Sequence, residues 1–475
     1  MASAGDTVKL EPLGANKILD ETSGLLDTGD EEKRRSQIEN GHAEEFDPHL
    51  HRQSEHPTTN METLIHLLKG AIGTGILAMP EAFKYAGMIN GIISTILIGL
   101  LSTYCLHVLV RSQYVMCKKL RVGLLTYPES MKAACEMGPT CLRRFAPWAP
   151  GVTNFFLIFY QVGICCVYVV FVGVNVKAVA DQYIKPEISL LLYTLMFFIP
   201  FLLIMMVRNL KLLAPFSTAA NLITLLTFGV CGYYVFQNLP AFSSVPAFGP
   251  FVSYPLYFGT CLFSLQACGV VIALENNMAE PKSFLKPLGV LNVGMTLVTF
   301  VYLWLAVMGY WRYGDQIQSS ITLNFPSVDI LAQVIRILYS AAIFISYGLQ
   351  GYPAVQIILT NYILPNIKEE TTDKRKLIYE YMIRFGCVAI TFILGLTVPL
   401  LGLFISLVGA FCLSALGIAF PAIIEMSAYW PDRLGKRRWI LWKDLLLIVL
   451  GIVGLLAGSY SCLYEIVRSL SQGNT

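Results

Sequence analysis

After residue 60 the chain alternates long apolar stretches with short polar interruptions. The apolar stretches fall at 62–85, 88–112, 150–176, 188–207, 213–236, 253–275, 288–310, 328–350, 380–398, 401–426 and 441–464. Crossing about 30 Å of hydrocarbon takes roughly 20 helical residues, which each stretch supplies. The pattern therefore predicts an all-α integral membrane protein with eleven transmembrane helices. The eighth stretch continues to 362, and Pro353 is expected to bend or end its helix. Residues 1–60 lack any sustained apolar period. Too little apolar surface is available there to offset chain entropy, so a disordered tail is expected. The tail has no basic segment followed by a short apolar core, so no cleaved signal peptide is expected and the first span directs insertion. The predicted organisation is a tail at 1–60, an eleven-helix domain at 61–465 and a second, short tail at 466–475.

Composition sharpens this picture. The 475 residues are 55% hydrophobic and 14% charged, whereas an ordinary soluble domain is about a quarter charged. Soluble enzymes and nucleic-acid binders are nearly excluded. The net charge of +3 hides two unlike halves, because residues 1–60 hold 13 acids against six Lys or Arg. Elsewhere the basic residues fall unevenly. Twenty lie in or beside loops on the side of the N-terminal tail, and only Lys84, Lys177, Lys185, Arg312 and Arg468 lie on the other. Cytoplasmic loops retain Lys and Arg, so the N-terminus is expected in the cytoplasm and, with an odd number of spans, the C-terminus outside or in a lumen.

The twelve cysteines fall in spans or on the cytoplasmic side, apart from Cys462 near the outer end of the last span. No outer-loop disulfide framework is expected, and the Cys165-Cys166 pair reads as helix packing. No metal-ligand spacing, Gly-rich phosphate loop or nucleophile–base pair stands out, so neither enzyme chemistry nor a metal or other cofactor is expected.

The first span reads Lys69-Gly70-Ala71-Ile72-Gly73-Thr74-Gly75 at mid-membrane depth. Three glycines so close fit a packing face against another helix. They equally fit a discontinuous helix whose freed N–H groups face a carboxylate. The sixth span is interrupted in the same way by Ser264, Gln266 and Gly269. Spans one and six are corresponding members of two five-helix halves, and a matching interruption in both points to a transporter site at an inverted-repeat interface.

These residues resemble the proton-coupled amino acid transporters of the amino acid/auxin permease group. The resemblance rests on Leu64 to Gly75, Gln161 to Tyr168, Leu274-Glu275-Asn276, Ile321 to Asn324, Leu338 to Gln350 and Ile405 to Gly409. It implies a leucine-transporter-like fold, a 5+5 inverted repeat plus one helix, moving small neutral amino acids with protons across the lipid bilayer. The substrate site would comprise Gly70, Ile72, Gly73, Thr74 and Gly75 of span one, Gln161 and Tyr168 of span three, and Ser264 and Gln266 of span six. The chain departs from the family pattern at Ala71, where many members have Asn, and at Gln266, where many have Glu. It also lacks the usual outer-loop cysteine pair. Losing a carboxylate at Gln266 weakens the case for strict coupling and leaves an uncoupled facilitator as an alternative. A lysosomal amino acid sensor with little flux is another.

The family role in proton coupling falls on His66, whose ring, with an ordinary pKa near 6.5, suits an acidic lumen. Glu62 and Lys69 are placed to share its helical face. Glu275, at the cytoplasmic end of span six, reads either as a gate or as a solvated helix-end charge. Arg336 in span eight is a functional candidate or a snorkelling side chain. In the tail, Glu21, Leu25 and Leu26 fit an acidic dileucine signal for a clathrin adaptor, favouring a lysosomal or late endosomal membrane over, or alongside, the plasma membrane.

Overall fold

The computed structural model describes residues 46–51, 57–186, 188–208, 210–367 and 373–472. The sorting motif at Glu21, Leu25 and Leu26 lies outside them. Two units divide at Asp47 and Pro48, and the helical body is the second.

The first span opens on a capping box. The Thr59 hydroxyl accepts from the Glu62 N–H, while the Glu62 carboxylate accepts from the Thr59 N–H and hydroxyl at 2.8 and 3.0 Å. Helix α1 (Asn60–Ala71) then runs to the glycines, and α2 (Gly75–Ala86) continues at a bend of 54°. The chain goes on through α3 (Met88–Leu120), α4 (Tyr127–Met137) and α5 (Ala149–Ala180). Next come α6 (Leu190–Met196), α7 (Phe198–Met205) and α8 (Leu210–Val235). The sixth span is again two pieces, α9 (Tyr254–Leu265) and α10 (Cys268–Asn276). After it follow α11 (Val290–Tyr313), α12 (Ile330–Ile358) and α13 (Asp373–Thr397). The tenth span joins α14 (Leu401–Val408) to α15 (Phe420–Ala428), and α16 (Trp439–Ser471) ends the described chain.

Among the described residues nine helices are long and apolar enough to cross a membrane, the α1–α2 pair counts as a tenth, and Leu190–Met205 is a shorter apolar helix at the predicted fourth span. Every predicted apolar stretch is helical.

Of the two outcomes expected at Pro353, a bend or an end, the end does not occur: α12 runs through it to Ile358 before a π-helical turn at Leu359–Ile363. Arg336 does not snorkel. It is 1% exposed, and its guanidinium donates to the carbonyls of Thr322, Leu323 and Phe325 at 2.9, 3.4 and 2.7 Å. The cation thus stitches the short helix Ile321–Asn324 to α12. Cys165 and Cys166 are both buried, consistent with packing.

The tenth span meets α9 closely enough to exclude side chains. A Cβ on Gly409 would lie 1.9 Å from the Gly259 oxygen, and one on Gly259 would lie 2.2 Å from the Ser406 oxygen. Hydroxyls fasten the same seam, with Thr260 and Ser406 at 2.6 Å and Ser406 donating to the Leu256 carbonyl at 3.0 Å.

Candidate functional site

At the first break the main chain leaves the helix at Ile72, which is extended, and re-enters at Gly75. Two hydroxyls bracket the turn. The Tyr302 hydroxyl donates to the Ala71 carbonyl at 2.9 Å and lies 3.5 Å from the Gly73 nitrogen, while the Tyr339 hydroxyl donates to the Gly73 carbonyl at 3.4 Å. Of the amides that open α2, those of Ile76 and Leu77 donate to the Gly73 and Thr74 carbonyls at 3.3 and 3.2 Å, and the first-turn amides ahead of them have no acceptor within the helix. Thr74 is 2% exposed, and its Oγ1 has no hydrogen-bond partner among the described residues.

The glycines divide between the two readings of the sequence. Gly70 and Gly75 are packing positions, since a Cβ would lie 3.1 Å from Val270 at the first and 2.8 Å from the Ser264 hydroxyl at the second. Gly73 is different. A Cβ there would meet only the Tyr168 hydroxyl, at 3.8 Å. The space beside the break therefore opens at Gly73 and faces Tyr168.

At the second break Gln266 is extended and α10 begins at Cys268. Its side-chain amide donates to the Gly417 carbonyl at 3.2 Å, and its Oε1 is buried without a partner. Gly417 lies in the second of two π-helical turns, Gly409–Leu413 and Ala415–Ala419. Such turns displace carbonyls from the regular ladder. The Leu416 carbonyl is taken by the Tyr127 hydroxyl, and the Gly417 carbonyl by Gln266. Ser264 joins the two breaks directly, donating to the Gly75 carbonyl at 3.2 Å.

The structure thus brings together Gly73, Thr74, Gly75, Tyr168 and Ser264. Gln266 stands at the facing break, turned toward the tenth span. Gln161 lies seven residues before Tyr168 on α5, with a buried and unpartnered Oε1, and no hydrogen bond ties it to either break. His66 is exposed on α1, roughly 10 Å of helix from Gly73. Its supposed neighbour Glu62 is engaged in the capping box. Glu275 is not a solvated helix end. It is 5% exposed, and its carboxylate lies 3.8 Å from Nδ1 of His49, whose ring stacks on Tyr114 at 4.7 Å.

No charged residue occurs in 70–75 or 263–269. Among the described residues no group of His, Cys, Asp or Glu is arranged to hold a metal ion. Sequence reasoning missed Tyr302 and Tyr339 as parts of the site. Their only signal was a hydroxyl in the middle of an apolar span.

Replacing Tyr302 by Phe leaves the Ala71 carbonyl without its donor, which costs about 1–3 kcal/mol for a buried group. The expected result is a lower melting temperature and a raised KM for uptake, with the protein still folded. An unchanged KM would remove Tyr302 from the site.

Residues 56–464 match the family described as transmembrane amino acid transporter protein. The chain is 39% identical over 427 residues to the proton-coupled amino acid transporter-like protein pathetic of Drosophila melanogaster, covering 90% of this chain and 89% of that one. It is 23% identical over 430 residues to the probable amino acid transporter skat-1 of Caenorhabditis elegans, covering 87% and 91%. Among solved structures it resembles MhsT in complex with L-phenylalanine, with TM-score 0.48, 11% identity and coverage of 86% of this chain and 100% of that one.

Proposed function

The chain belongs to the transmembrane amino acid transporter family, and we propose that it carries small neutral amino acids together with protons from the outer or luminal face to the cytoplasm. The observation behind this reading is the pairing of two broken spans joined by the Ser264–Gly75 bond, with no charged residue in the breaks at 70–75 and 263–269. A zwitterion needs a partner at each end. The amides opening α2, at the positive end of its dipole, suit the carboxylate. The main-chain carbonyls around Ala71 and Gly73 suit the ammonium group. A charged substrate side chain would find no countercharge here, and burying it unpaired is costly. The phenols of Tyr168, Tyr302 and Tyr339 bound the space beside Gly73, which favours small substrates.

The name of the Drosophila relative and the family role of His66 support proton coupling. His66 is exposed on α1. The distribution of Lys and Arg supports a cytoplasmic N-terminus, and Glu21, Leu25 and Leu26 support delivery by a clathrin adaptor to a lysosomal or late endosomal membrane. One observation favours the uncoupled alternative. Gln266 donates to the Gly417 carbonyl at every pH, whereas a Glu there would do so only when protonated.

Uptake of labelled alanine, glutamate and lysine into reconstituted vesicles, with and without a pH gradient, tests the reading. A gradient of about two units supplies roughly 2.7 kcal/mol per proton, enough for about a hundredfold accumulation at one proton per substrate. Alanine should accumulate and the charged amino acids should not, and His66→Ala should abolish accumulation while sparing downhill exchange. Gradient-independent uptake by the wild type would establish the facilitator instead, with Gln266→Glu the variant expected to restore coupling.

A further inference from the structure

Six residues beyond Gly75, roughly 9 Å along α2, the sequence places Glu81 directly after Pro80. This carboxylate is half-buried and rests against the tenth span. A Cβ on Gly402, in the first turn of α14, would lie 2.0 Å from Glu81 Oε2 and 3.0 Å from Oε1. Only glycine leaves this seat open. The contact forms one wall of a cavity of about 500 Å³ lined by Glu81, Tyr85, Gln318, Ser319, Gly402 and Glu465, among others.

Both helices at this contact follow non-helical joints. α2 hangs from the Gly73–Thr74 break, and α14 follows the non-helical segment 398–400. The crevice between them lies on the side that carries few Lys and Arg, so it faces outward in the orientation proposed above. The seat therefore governs whether α2 lies closed on α14.

The groups around Glu81 decide what its proton does. On its own helix, Tyr85 lies four residues on and lines the same cavity. The Lys84 ammonium donates to the Asp315 carbonyl at 2.8 Å and its charge also acts on Glu81. From α16 come Cys462 and Glu465, the latter 3.6 Å from Arg468. From α9, Tyr257 has its hydroxyl bound at Thr95 and the Gly91 carbonyl, at 2.7 and 2.9 Å. From α11, Tyr310 lies 3.5 Å from Asp315. α14 and the short helix Ile321–Asn324 bring no titratable side chain. Lys84 is thus the one cation among these groups that acts on the seat, and a second carboxylate, Glu465, lines the same crevice. An ionised Glu81 is better solvated when the crevice widens, and a neutral one packs against Gly402 without that demand.

We propose that Glu81 is a proton-operated latch of the outer gate: protonated from the outer solution it lets α2 close on Gly402, and ionised it holds the crevice open. The proposal rests on the transport reading and its orientation, but its test does not depend on transport.

The test is the labelling rate of Ser319→Cys by a membrane-impermeant methanethiosulfonate, normalised to Val328→Cys, an open position 83% exposed. Normalisation removes the effect of pH on thiol reactivity. Between about pH 7.5 and about pH 4, a range that takes in the ordinary carboxylate value, one titrating carboxylate should slow labelling by about tenfold or more. Glu81→Gln should label at the slow rate at both pH values. Gly402→Ala, whose methyl group displaces the carboxylate, should label at the fast rate at both. Glu465→Gln should keep the pH dependence. A Glu81→Gln protein that retains the wild-type pH response would overturn the latch, as would a flat response in the parent Ser319→Cys protein. If labelling responds as expected while vesicles show no gradient-driven uptake, the latch stands and the coupled-transport reading fails. Flat labelling together with normal coupled uptake would overturn the latch and leave coupled transport standing.

Discussion

Replacing Gly73 by valine should leave the helical body folded and remove transport. Gly73 is the one glycine of the first break with free space beside it, because a Cβ would meet only the Tyr168 hydroxyl at 3.8 Å. Two further methyl groups would fill that space, where the proposed substrate carboxylate meets the amides of α2. Valine also restricts a backbone that leaves and re-enters a helix within a few residues. Uptake should fall by about a hundredfold or more, equivalent to about 2.7 kcal/mol at 1.4 kcal/mol per decade. The loss should be similar for every amino acid tested, since each presents the same carboxylate. Gly75→Val provides the contrast. Its Cβ would lie 2.8 Å from the Ser264 hydroxyl and 3.1 Å from the Ser264 Cα, so it should lower the melting temperature as well. A Gly73→Val protein that reaches the membrane and transports normally would refute the placement.

The second large effect is on stability. Lys443 reaches the Glu425 carboxylate, the Asp444 Oδ1 at 3.0 Å and the Tyr104 hydroxyl at 2.7 Å. The side chains of Glu425 and Asp444 are 8% and 0% exposed. One ammonium therefore serves two buried carboxylates and joins α15 to α16. Lys443→Met deletes the cation and leaves both acids behind. Removing one partner of a buried ion pair costs about 3–5 kcal/mol, so a sharply lower melting temperature and poor yield in detergent are expected. Adding Glu425→Gln to Lys443→Met should recover part of the loss. A single variant that melts with the wild type would mean that the cluster contributes nothing to stability.

How much of this is legible in the sequence depends on range. Span positions follow from local hydrophobicity, and the breaks follow from Gly70 to Gly75 and from Ser264 to Gly269, because helix weakness is a property of neighbouring residues. Long-range partners leave no such trace. Tyr302 and Tyr339 belong to the first break only because α11 and α12 pack beside it, and a phenol in an apolar span reads equally well as membrane packing. Arg336 reads as a snorkelling side chain for the same reason. Its acceptors are carbonyls eleven to fourteen residues away in a short helix, which no periodicity announces. The π-helical turns of the tenth span are also invisible, since their apolar composition is that of an ordinary helix.

The glycine seam between α9 and the tenth span settles which parts can serve as jaws. Carbonyl oxygens lie where Gly259 and Gly409 would otherwise carry side chains, and the Thr260–Ser406 bond ties the same two elements. Sliding one past the other would drive main chain into main chain, so the pair moves as a single anvil. Under the transport reading proposed above, the element left to move is the first span, broken at Gly73, and alternating access would fall on its swing. Substitutions that retune what is carried have room around Tyr168 and Gly73, but the anvil admits none at its two glycines, whatever the cargo.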